Sequence, residues 1–467
     1  MKTYDAIVIG AGPGGYPCGI RLGQLKQKTL VIEKEYAGGV CLNWGCIPSK
    51  ALISAAHTYE KAKSQTMGIK VDGVRVDANE LQDWKGGIVN RLTNGVKSLL
   101  KMNGAEFTMG DASFTSPNTV EVVNAEGQKE TYRAEKAIVI ATGATTVELP
   151  TFKFDGKQII GAREAVSLRE IPKRLLVIGG GIIGLELGMV YQKFGSEITV
   201  LEFLPNILNG VDPECAKVVE RRILKHGGKI HTGAKALGYE RQSDGSLAVA
   251  FEKDGKRDTV VCDVVLVAVG MRPNSKTLKL EAAGVKANEK GFIPIDKQGR
   301  TNVPTIYAVG DVSGPPLLAH KATKEGEIVA EVIAGHKAAM DWVTIPGAIF
   351  TDPEIATVGM TADEAKAKGI DVVVGKFPMA ALGKAMAMGD TDGFVKIVAD
   401  KKTKQILGVH IVGIEASTMI SEAALSLEMA AFLEDVSMTI HPHPTLGEAY
   451  MEAAAHALGH AVHIANR

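Results

Sequence analysis

Two segments of the chain repeat one pattern of strand, glycine motif, helix and second strand. The first runs from YDAIVIGAGPGGYPCGI to KTLVIEKE, and the second runs from KRLLVIGGGIIGLELGMV to SEITVLEF at 173–203. In each copy an acidic residue follows the first glycine of a G-x-G-x-x-G motif by 23 residues. One such motif is a weak signal, because glycine-rich turns between strand and helix are common in parallel α/β proteins. Two copies with the same acid spacing predict two related parallel α/β units.

The glycines of each copy lie where a dinucleotide-binding turn needs them. The first permits the tight turn, the second lets the backbone approach a pyrophosphate at the helix N-terminus, and the third lets the helix pack on the strand. The acid can then accept hydrogen bonds from a ribose. The alternative is a pair of α/β units that bind no ligand. We predict two dinucleotide sites, one with Gly10, Gly12, Gly14, Gly15 and Glu33 and one with Gly179, Gly181, Gly184 and Glu202.

Further segments of strand followed by glycine close the two units. AIVIATG at 137–143 ends in Thr142 and Gly143, and VVLVAVGMRPN at 264–274 contains Gly270. Polar, turn-rich stretches before each closing strand predict an inserted β-meander. A later strand, TNVPTIYAVGD at 301–311, ends in Asp311, whose carboxylate could hold a polyhydroxyl chain.

The chain is too long for one ordinary core and should divide into about three or four units. The glycine signals stop near residue 345, and a strand-rich and then helix-rich segment follows. We therefore predict an α/β protein with Rossmann-like dinucleotide-binding domains at 1–146 and 147–270. The segment after about residue 345 should form a separate domain with both helices and strands.

Composition narrows the range of partners. Lysine plus arginine and aspartate plus glutamate each number 53, so the formal net charge is zero and nothing marks a nucleic-acid surface. No apolar run reaches the roughly 18 residues of a membrane span. The first strand-like segment begins at Tyr4, so we expect no targeting peptide before it. Five cysteines are too few for a secreted disulfide framework, so we expect a reducing compartment, the cytoplasm.

Two of the five cysteines, Cys41 and Cys46, lie five positions apart in GGVCLNWGCIPSK. A disulfide needs Cα atoms about 4.4–6.8 Å apart, so the segment would have to coil back, and Asn43 and Gly45 offer the turn. The following IPSKALISAAHTYEKA predicts a helix that tolerates Pro48 in its first turn. Cys46 would then lie at a helix N-terminus, where the dipole favours a thiolate.

Three roles are open to this cysteine pair. A metal site is disfavoured because no second cysteine pair or nearby histidine accompanies it, and a structural bridge over so short a loop would add little stability. A redox-active pair is favoured, and it needs a flavin to relay electrons to a nicotinamide. Glu202 would repel a 2′-phosphate and residues 203–216 contain no lysine or arginine, so the second site should prefer NAD to NADP. Cys18, Cys215 and Cys262 should be free thiols.

Together GAGPGGY, GGVCLNWGCIPSK, IATG, GGGIIGLELG, AVGD, LAHKA and HPHPTLGEAY resemble the pyridine nucleotide–disulfide oxidoreductases over essentially the whole chain. The resemblance is to those members that oxidise dihydrolipoyl groups. It implies FAD at the first site and NAD at the second. It also implies a central domain at 271–345 that completes the FAD site, and a C-terminal α+β domain at 346–467 that forms a homodimer. It also implies that Cys46 faces the flavin and that Cys41 exchanges with the substrate. We further assign Lys50, Thr142, Gly143, Asp311 and Ala319 to the FAD site and Gly270 to the NAD site.

A base for the substrate thiol is expected in HPHPTLGEAY. Pro444 predicts a helix start that places His443 near the N-cap, and Glu448 could bond the imidazole ring and fix its tautomer. The resemblance implies that these two residues of one subunit serve Cys41 of the other. Without it, His443 could equally be a capping histidine. We interpret His441 as structural.

One lysine and a histidine cluster complete the candidate residues. Lys50 follows Cys46 by four residues on one helical face, and the resemblance pairs it with Glu186; otherwise it is an ordinary surface lysine. We predict that no metal is bound, although three histidines share a face of the predicted last helix, His456, His460 and His463.

These observations predict an enzyme that oxidises a dihydrolipoyl group and reduces NAD through a disulfide. Its partner would be the lipoyl-bearing carrier protein of a 2-oxo acid dehydrogenase or glycine cleavage complex. Two alternatives stay open: an NADH-dependent reductase of another disulfide or of a metal ion, and a non-catalytic flavoprotein scaffold.

Overall fold

A computed structural model describes residues 1–466 of the chain. The strands β1, β2, β3 and the end of β6 are parallel in the order β3-β2-β1-β6, whereas β4, β5 and the start of β6 form an antiparallel meander. The elements of this first unit are β1 (Lys2–Ile9), α1 (Gly15–Gln24), β2 (Thr29–Glu33), α2 (Gly39–Asn43), α3 (Cys46–Ser64), α4 (Ala78–Met102), β3 (Ala105–Met109), β4 (Asp111–Ser116), β5 (Thr119–Val123), β6 (Lys129–Ile140) and β7 (Ala144–Thr146).

The second unit repeats this topology. Its parallel sheet has the order β11-β10-β9-β15-β8, so β11-β10-β9-β15 matches β3-β2-β1-β6, and β12, β13 and β14 form the meander. The sequence repeat therefore corresponds to a repeated fold. The elements are β8 (Ile159–Ile160), α5 (Ala162–Ala165), β9 (Arg174–Ile178), α6 (Ile182–Phe194), β10 (Glu197–Glu202), α7 (Pro213–Lys225), β11 (Lys229–Thr232), β12 (Ala234–Arg241), β13 (Leu247–Lys253), β14 (Lys256–Cys262), β15 (Val264–Val267) and β16 (Met271–Pro273).

The next segment returns to the first unit. It contains 3₁₀ turns at Lys276–Leu278, Leu280–Ala283 and Gly310–Val312, strand β17 (Ile306–Ala308) and helix α8 (Ala319–Ile333). β17 pairs in parallel with β6, and α8 packs against α1. Apolar side chains of this segment share one buried cluster with those of β1. The segment thus joins the body of the first unit, while the bounds of the four predicted domains stay a prediction.

The C-terminal part is an antiparallel sheet covered by helices. The sheet has the order β18-β19-β22-β21-β20, and α11 and α13 pack on it. With the two parallel units before it, this α+β part confirms the predicted fold class. The elements are β18 (Gly347–Ile349), β19 (Glu354–Gly359), α9 (Ala362–Ala367), β20 (Val372–Pro378), a 3₁₀ turn at Met379–Ala381, α10 (Gly383–Met388), β21 (Phe394–Asp400), β22 (Ile406–Gly413), α11 (Ala416–Glu428), α12 (Leu433–Met438) and α13 (Glu448–Leu458).

Within residues 1–466, none of the helices combines the length and the apolar composition needed to cross a membrane.

Candidate functional site

The first glycine motif lies at the carboxyl end of β1, where the chain turns into α1. Gly10 has a φ of +104°, and a Cβ added there would lie 2.3 Å from the carbonyl oxygen of Ala141. A Cβ on Gly15 would lie 1.8 Å from the carbonyl oxygen of Gly10. Gly12 and Gly14 lie between them. The turn therefore keeps its shape only with glycine at Gly10 and Gly15, and it presents the N-terminus of α1 to a ligand.

Glu33, the last residue of β2, is buried beside this turn. Its Oε2 accepts a hydrogen bond from the backbone N–H of Ala11 at 2.8 Å, and its Oε1 accepts one from the N–H of Glu35 at 2.9 Å. Each carboxylate oxygen keeps a second lone pair, so the group can still accept hydrogen bonds from ribose hydroxyls.

Asp311 follows β17 at the same edge of the first sheet. Burial raises the pKa of Asp311, although the Lys321 ammonium opposes that shift. Lys321 is instead paired with the buried Glu325 at 3.1 Å, and Glu325 also accepts the N–H of Gly310 at 2.6 Å. Among the residues described, no side chain or backbone group forms a hydrogen bond with the Asp311 carboxylate. It is thus free to accept a hydroxyl, and Ala319 begins α8 close by in the chain.

Thr142 and Gly143 continue from the end of β6. The Thr142 hydroxyl donates to the carbonyl oxygen of Asn274 at 2.7 Å, and the Asn274 side-chain amide donates to the carbonyl oxygen of Thr142 at 3.0 Å. This pair of bonds joins the closing strand of the first unit to the segment that follows β16. Gly143 has a φ of +65° and open space where a Cβ would lie.

The second glycine motif has the same geometry. Gly179 has a φ of +109°, and a Cβ there would lie 2.4 Å from the carbonyl oxygen of Ala268. A Cβ on Gly184 would lie 2.2 Å from the carbonyl oxygen of Gly179. At Gly181 and Gly270 an added Cβ would meet no atom within 4 Å, so both positions border open space.

Glu202, the last residue of β10, repeats the role of the acid in the first unit. Its two oxygens accept the backbone N–H groups of Gly180 and Leu204, each at 2.6 Å. The next side chain, Phe203, is 69% exposed beside it. The second unit thus offers a fixed carboxylate and an exposed aromatic ring at the edge where a nucleotide would lie.

Cys41 and Cys46 form a disulfide, with their Cα atoms 4.6 Å apart. Cys41 lies in α2 and Cys46 is the first residue of α3, whose N-cap is Gly45. The Asn43 side-chain amide donates to the carbonyl oxygens of Ala37 and Gly39. These bonds fix the loop that coils back between the two cysteines. Both cysteines are half-buried, and Cys46 lies at the positive end of the α3 dipole.

Lys50, one turn along α3, connects the disulfide helix to the second unit. Its Nζ lies 2.8 Å from Oε2 of Glu186 on α6. The other oxygen of this buried carboxylate accepts the N–H of Phe350 at 2.8 Å, and the Lys50 ammonium lies 4.3 Å from the centroid of the Phe350 ring. Sequence reasoning missed Phe350, because it is far from both partners in the chain and belongs to no motif.

His443 and Glu448 are paired in the C-terminal part. His443 Nδ1 lies 2.8 Å from Oε1 of Glu448, and Oε2 of Glu448 accepts the N–H of Thr445 at 2.8 Å. Burial alone would raise the pKa of Glu448, but these hydrogen bonds outweigh it and hold the pKa below its usual value. The His443 side chain is 78% exposed, and within the described part of this one chain it forms no hydrogen bond with the disulfide region.

The predicted helix start at Pro444 is wrong. The last helix begins at Glu448 with Gly447 as its N-cap, and the His443–Pro444 peptide bond is cis. His443 therefore lies in a turn before the helix rather than at its N-cap. Glu448, and not the helix dipole, is what orients the imidazole. His441 contacts Glu422 at 2.9 Å through Nε2.

The prediction that three histidines share one face of the last helix is also wrong. The helix ends at Leu458, where Gly459 adopts a φ of +82°, so only His456 lies on it. His456 Nδ1 accepts the N–H of Lys376 at 3.2 Å. His463 bonds to Glu452 at 2.7 Å.

One other group has the geometry of a cation site. Ligand atoms of His57, Glu60 and Asp352 lie within 4.8 Å of one another. The Lys193 ammonium already lies 2.7 Å from both Glu60 and Asp352 and 3.4 Å from His57 Nδ1. A lysine cation therefore neutralises these acids.

Known proteins resemble this chain over nearly its whole length. Residues 4–326 match the family model described as pyridine nucleotide-disulphide oxidoreductase, and residues 345–454 match the dimerisation domain of the same family. A dihydrolipoyl dehydrogenase of Geobacillus stearothermophilus is 49% identical over 98% of this chain and 97% of its own length. A dihydrolipoyl dehydrogenase of Thermus scotoductus is 47% identical over the full length of both chains.

Two solved structures share the fold over nearly the whole chain. LpdA of Mycobacterium tuberculosis superimposes with a TM-score of 0.88 at 24% identity, covering 97% of this chain and 99% of its own. A Cu(II) complex of the HOCl-induced flavoprotein disulfide reductase RclA of Escherichia coli superimposes with a TM-score of 0.87 at 26% identity and the same coverage.

Proposed function

The chain belongs to the pyridine nucleotide-disulphide oxidoreductase family, and we propose that it oxidises protein-bound dihydrolipoyl groups to lipoyl groups while reducing NAD to NADH. The observation that carries the proposal is the Cys41–Cys46 disulfide at the N-terminus of α3, a helix tied to α6 of the second glycine motif. Dihydrolipoyl dehydrogenases that are nearly half identical over their full length support the substrate.

The first site fits FAD. The turn that only glycine can form suits a pyrophosphate, and the buried Glu33 carboxylate suits a ribose. The Asp311 carboxylate, which has no hydrogen-bond partner within residues 1–466, suits a polyhydroxyl chain. Gly12, Gly14, Thr142, Gly143 and Ala319 would line the same edge. FAD bound there supplies a two-electron carrier between sulfur and nicotinamide. The second site fits NAD through Gly179, Gly181, Gly184, Glu202 and Gly270.

The thiol chemistry falls to the two cysteines. A dihydrolipoyl thiolate attacks Cys41 Sγ, the Cys41–Cys46 bond breaks, and Cys46 leaves as a thiolate that the N-terminus of α3 stabilises. The second dihydrolipoyl thiolate then attacks the substrate sulfur of the mixed disulfide, which releases the lipoyl disulfide and the Cys41 thiolate. The net change is the transfer of two electrons from the substrate sulfurs to the enzyme sulfurs. The two thiol protons go to the base and to solvent.

His443 is the proposed base. Its Nδ1 donates to the Glu448 carboxylate, so the lone pair of Nε2 is left to take a thiol proton. Glu448 stabilises the imidazolium that results. Because His443 is exposed and, within residues 1–466, forms no hydrogen bond with the disulfide region of its own chain, we assign it to Cys41 of a second subunit.

A homodimer supplies that second subunit. Residues 345–454 carry the dimerisation domain, and the segment leading to His443 exposes two large apolar side chains, Met438 at 82% and Ile440 at 93%. Such exposure on a C-terminal domain is expected of a surface that a partner covers.

The ion pair of Lys50 and Glu186 lies one helical turn from Cys46. The Lys50 ammonium can offset negative charge that develops there, and Glu186 fixes the position of that ammonium. The proposed protein partner is the lipoyl-bearing carrier of a 2-oxo acid dehydrogenase or glycine cleavage complex. The remaining three cysteines are buried, and burial raises the pKa of Cys18 to about 12, which suits free thiols in the cytoplasm.

Rates of NAD reduction by dihydrolipoamide, compared with rates of NADH-driven reduction of other acceptors, test this function. The purified flavoprotein should reduce NAD with dihydrolipoamide, and C41S and C46S should abolish that activity while C18S keeps it. The second candidate, an NADH-dependent reductase of another disulfide or of a metal ion, is favoured by the likeness to RclA. NADH-driven reduction of Cu(II) or glutathione disulfide with a kcat/KM above that for dihydrolipoamide would replace the proposal with this one.

A further inference from the structure

Trp44 lies between the two disulfide cysteines in sequence, and its side chain contacts residues outside the 41–46 loop. The guanidinium carbon of Arg163 lies 4.2 Å from the centroid of the Trp44 ring, and Tyr36 meets that ring edge-on at 5.8 Å. The Trp44 side chain also packs at the margin of an apolar cluster that includes Ala165. Arg163 and Ala165 belong to α5 of the second unit, so the disulfide loop of the first unit is fastened to the second.

Arg163 is fixed in turn by an acid of the first unit. Its Nη2 pairs with Oε1 of Glu35, and the backbone N–H of Glu35 donates to Glu33, the acid at the end of β2. The Arg163 guanidinium thus pairs with a carboxylate and lies over an indole ring, and lysine lacks the planar group that suits both contacts. One side chain connects the first nucleotide site, the disulfide loop and the second unit.

We propose that Trp44 and Arg163 are positioning residues that hold the 41–46 loop closed and thereby favour the disulfide over the dithiol. This inference rests on the proposed function of Cys41 and Cys46 as the redox pair, and it identifies what sets the equilibrium of that pair.

The physical argument concerns the reduced protein. Once the S–S bond is broken, only the contacts of the loop keep the two sulfurs adjacent, and their effective concentration sets how readily the bond forms again. The Asn43 amide holds the α2 side of the loop, and Trp44 holds the side that leads into Cys46. Without the Arg163 contact, the reduced loop gains conformations in which the sulfurs are apart, so the dithiol becomes more populated.

The expected effect is a shift of about threefold to tenfold toward the dithiol in W44L or R163M. For a two-electron couple at about 30 mV per tenfold, this is a reduction potential about 15–30 mV less negative. R163K should shift the equilibrium in the same direction by less, because lysine keeps the charge and loses the planar face.

The experiment poises the holoenzyme anaerobically in buffers of reduced and oxidised dithiothreitol. After an acid quench, alkylation and mass spectrometry measure the fraction of Cys41 and Cys46 present as dithiol. In each exchange one protein disulfide gains two electrons and two protons, and one dithiothreitol loses them to become its cyclic disulfide. R169M is the matched control, because Arg169 also joins the two units, through Asp83, without touching the disulfide loop.

The proposal predicts that W44L/R163M shifts the equilibrium no further than W44L alone, because Arg163 acts on the loop through Trp44. R169M should match the parent protein. The proposal is overturned if W44L and R163M leave the equilibrium unchanged, if their shifts add in full, or if R169M shifts it as far. R163K, an exposed conservative change, keeps the test decisive where W44L does not fold. Dithiothreitol sets the redox state of the cysteine pair without dihydrolipoamide or NAD. Failure of the proposed function would therefore appear in the assay of NAD reduction by dihydrolipoamide and not in this titration.

Discussion

The Lys50 ammonium lies 2.8 Å from one oxygen of Glu186, and the other oxygen accepts the backbone N–H of Phe350 at 2.8 Å. One buried carboxylate thereby connects α3, α6 and the C-terminal part. The relative position of the disulfide and the second glycine motif depends on it. Removing its cation leaves a buried charge with a single hydrogen bond.

Substitution K50M should therefore destabilise the protein. We expect a loss of about 2–3 kcal/mol in the free energy of unfolding, less than the roughly 3–5 kcal/mol of a fully buried pair because Lys50 is partly exposed. The shift in the urea midpoint of the holoenzyme measures it. K129M, which removes the exposed pair of Lys129 with Glu121, is the control and should cost no more than about 1 kcal/mol. Equal shifts in the two variants would contradict the role given to Glu186.

Substitution H443Q should slow NAD reduction by dihydrolipoamide about 10²- to 10⁴-fold, the usual range for loss of a general base. NADH-driven reduction of ferricyanide should continue, because that acceptor needs no thiol proton transfer. H463Q removes another histidine paired with a glutamate, Glu452, and should keep both activities. Steady-state rates of the two reactions measure both effects. An equal loss of both activities in H443Q would contradict the role of His443 as the base for the substrate thiol.

Asp352 should confer a pH-dependent part of the stability. Burial alone would raise the pKa of Asp352, but Lys193 and Arg222 outweigh it and hold the pKa below the usual value of 3.8. A carboxyl with a lowered folded pKa contributes stability that is present above its unfolded pKa and is lost as the pH falls through its folded pKa. D352N should therefore lie below the parent in thermal midpoint by a constant amount from pH 7 to about pH 5, and the gap should narrow below about pH 4.

The matched control for this prediction is D371N, because Asp371 pairs with Lys401 at the surface. Its midpoint should follow the parent at every pH. A gap between D352N and the parent that stays constant down to pH 3 would contradict the assignment to Asp352.

Glu202 should determine the preference for NAD. E202A removes the carboxylate that would bind the ribose hydroxyls, so kcat/KM for NAD should fall about 10- to 100-fold, as expected for lost hydrogen bonds to a charged group. The ratio of NAD to NADP activity should fall as well. E197A changes an exposed acid at the start of the same strand and should leave both values unchanged. An unaltered ratio in E202A would place nucleotide selection elsewhere.

The repeated parts of the fold were predictable because their signals are local. A strand, a glycine turn and an acid at fixed spacing mark each dinucleotide unit, and the sheet orders β3-β2-β1-β6 and β11-β10-β9-β15 follow from that repeat. The coil of the 41–46 loop was predictable for the same reason, since its turn residues lie within it. The contact of Lys50 with Glu186 was expected only from resemblance.

The contacts of Phe350, Lys193 and Arg163 could not be predicted, because each joins side chains that are far apart in sequence and follow no periodic pattern. The start of the last helix was wrong for a different reason. Pro444 is typical of a first helical position, but the chain makes a turn through Thr445 before the helix begins at Glu448. The end of that helix was also predicted wrongly, because Gly459, a usual terminating residue, stops the helix before His460 and His463.

Anaerobic mixing of the holoenzyme with dihydrolipoamide, followed by NAD, tests the central claim most directly. A long-wavelength absorption band from thiolate beside flavin, followed by rapid formation of NADH, is the predicted result, and C46S should show neither. A flavin that stays oxidised with dihydrolipoamide yet is bleached by NADH would contradict the account and point to another disulfide or a metal ion as the substrate.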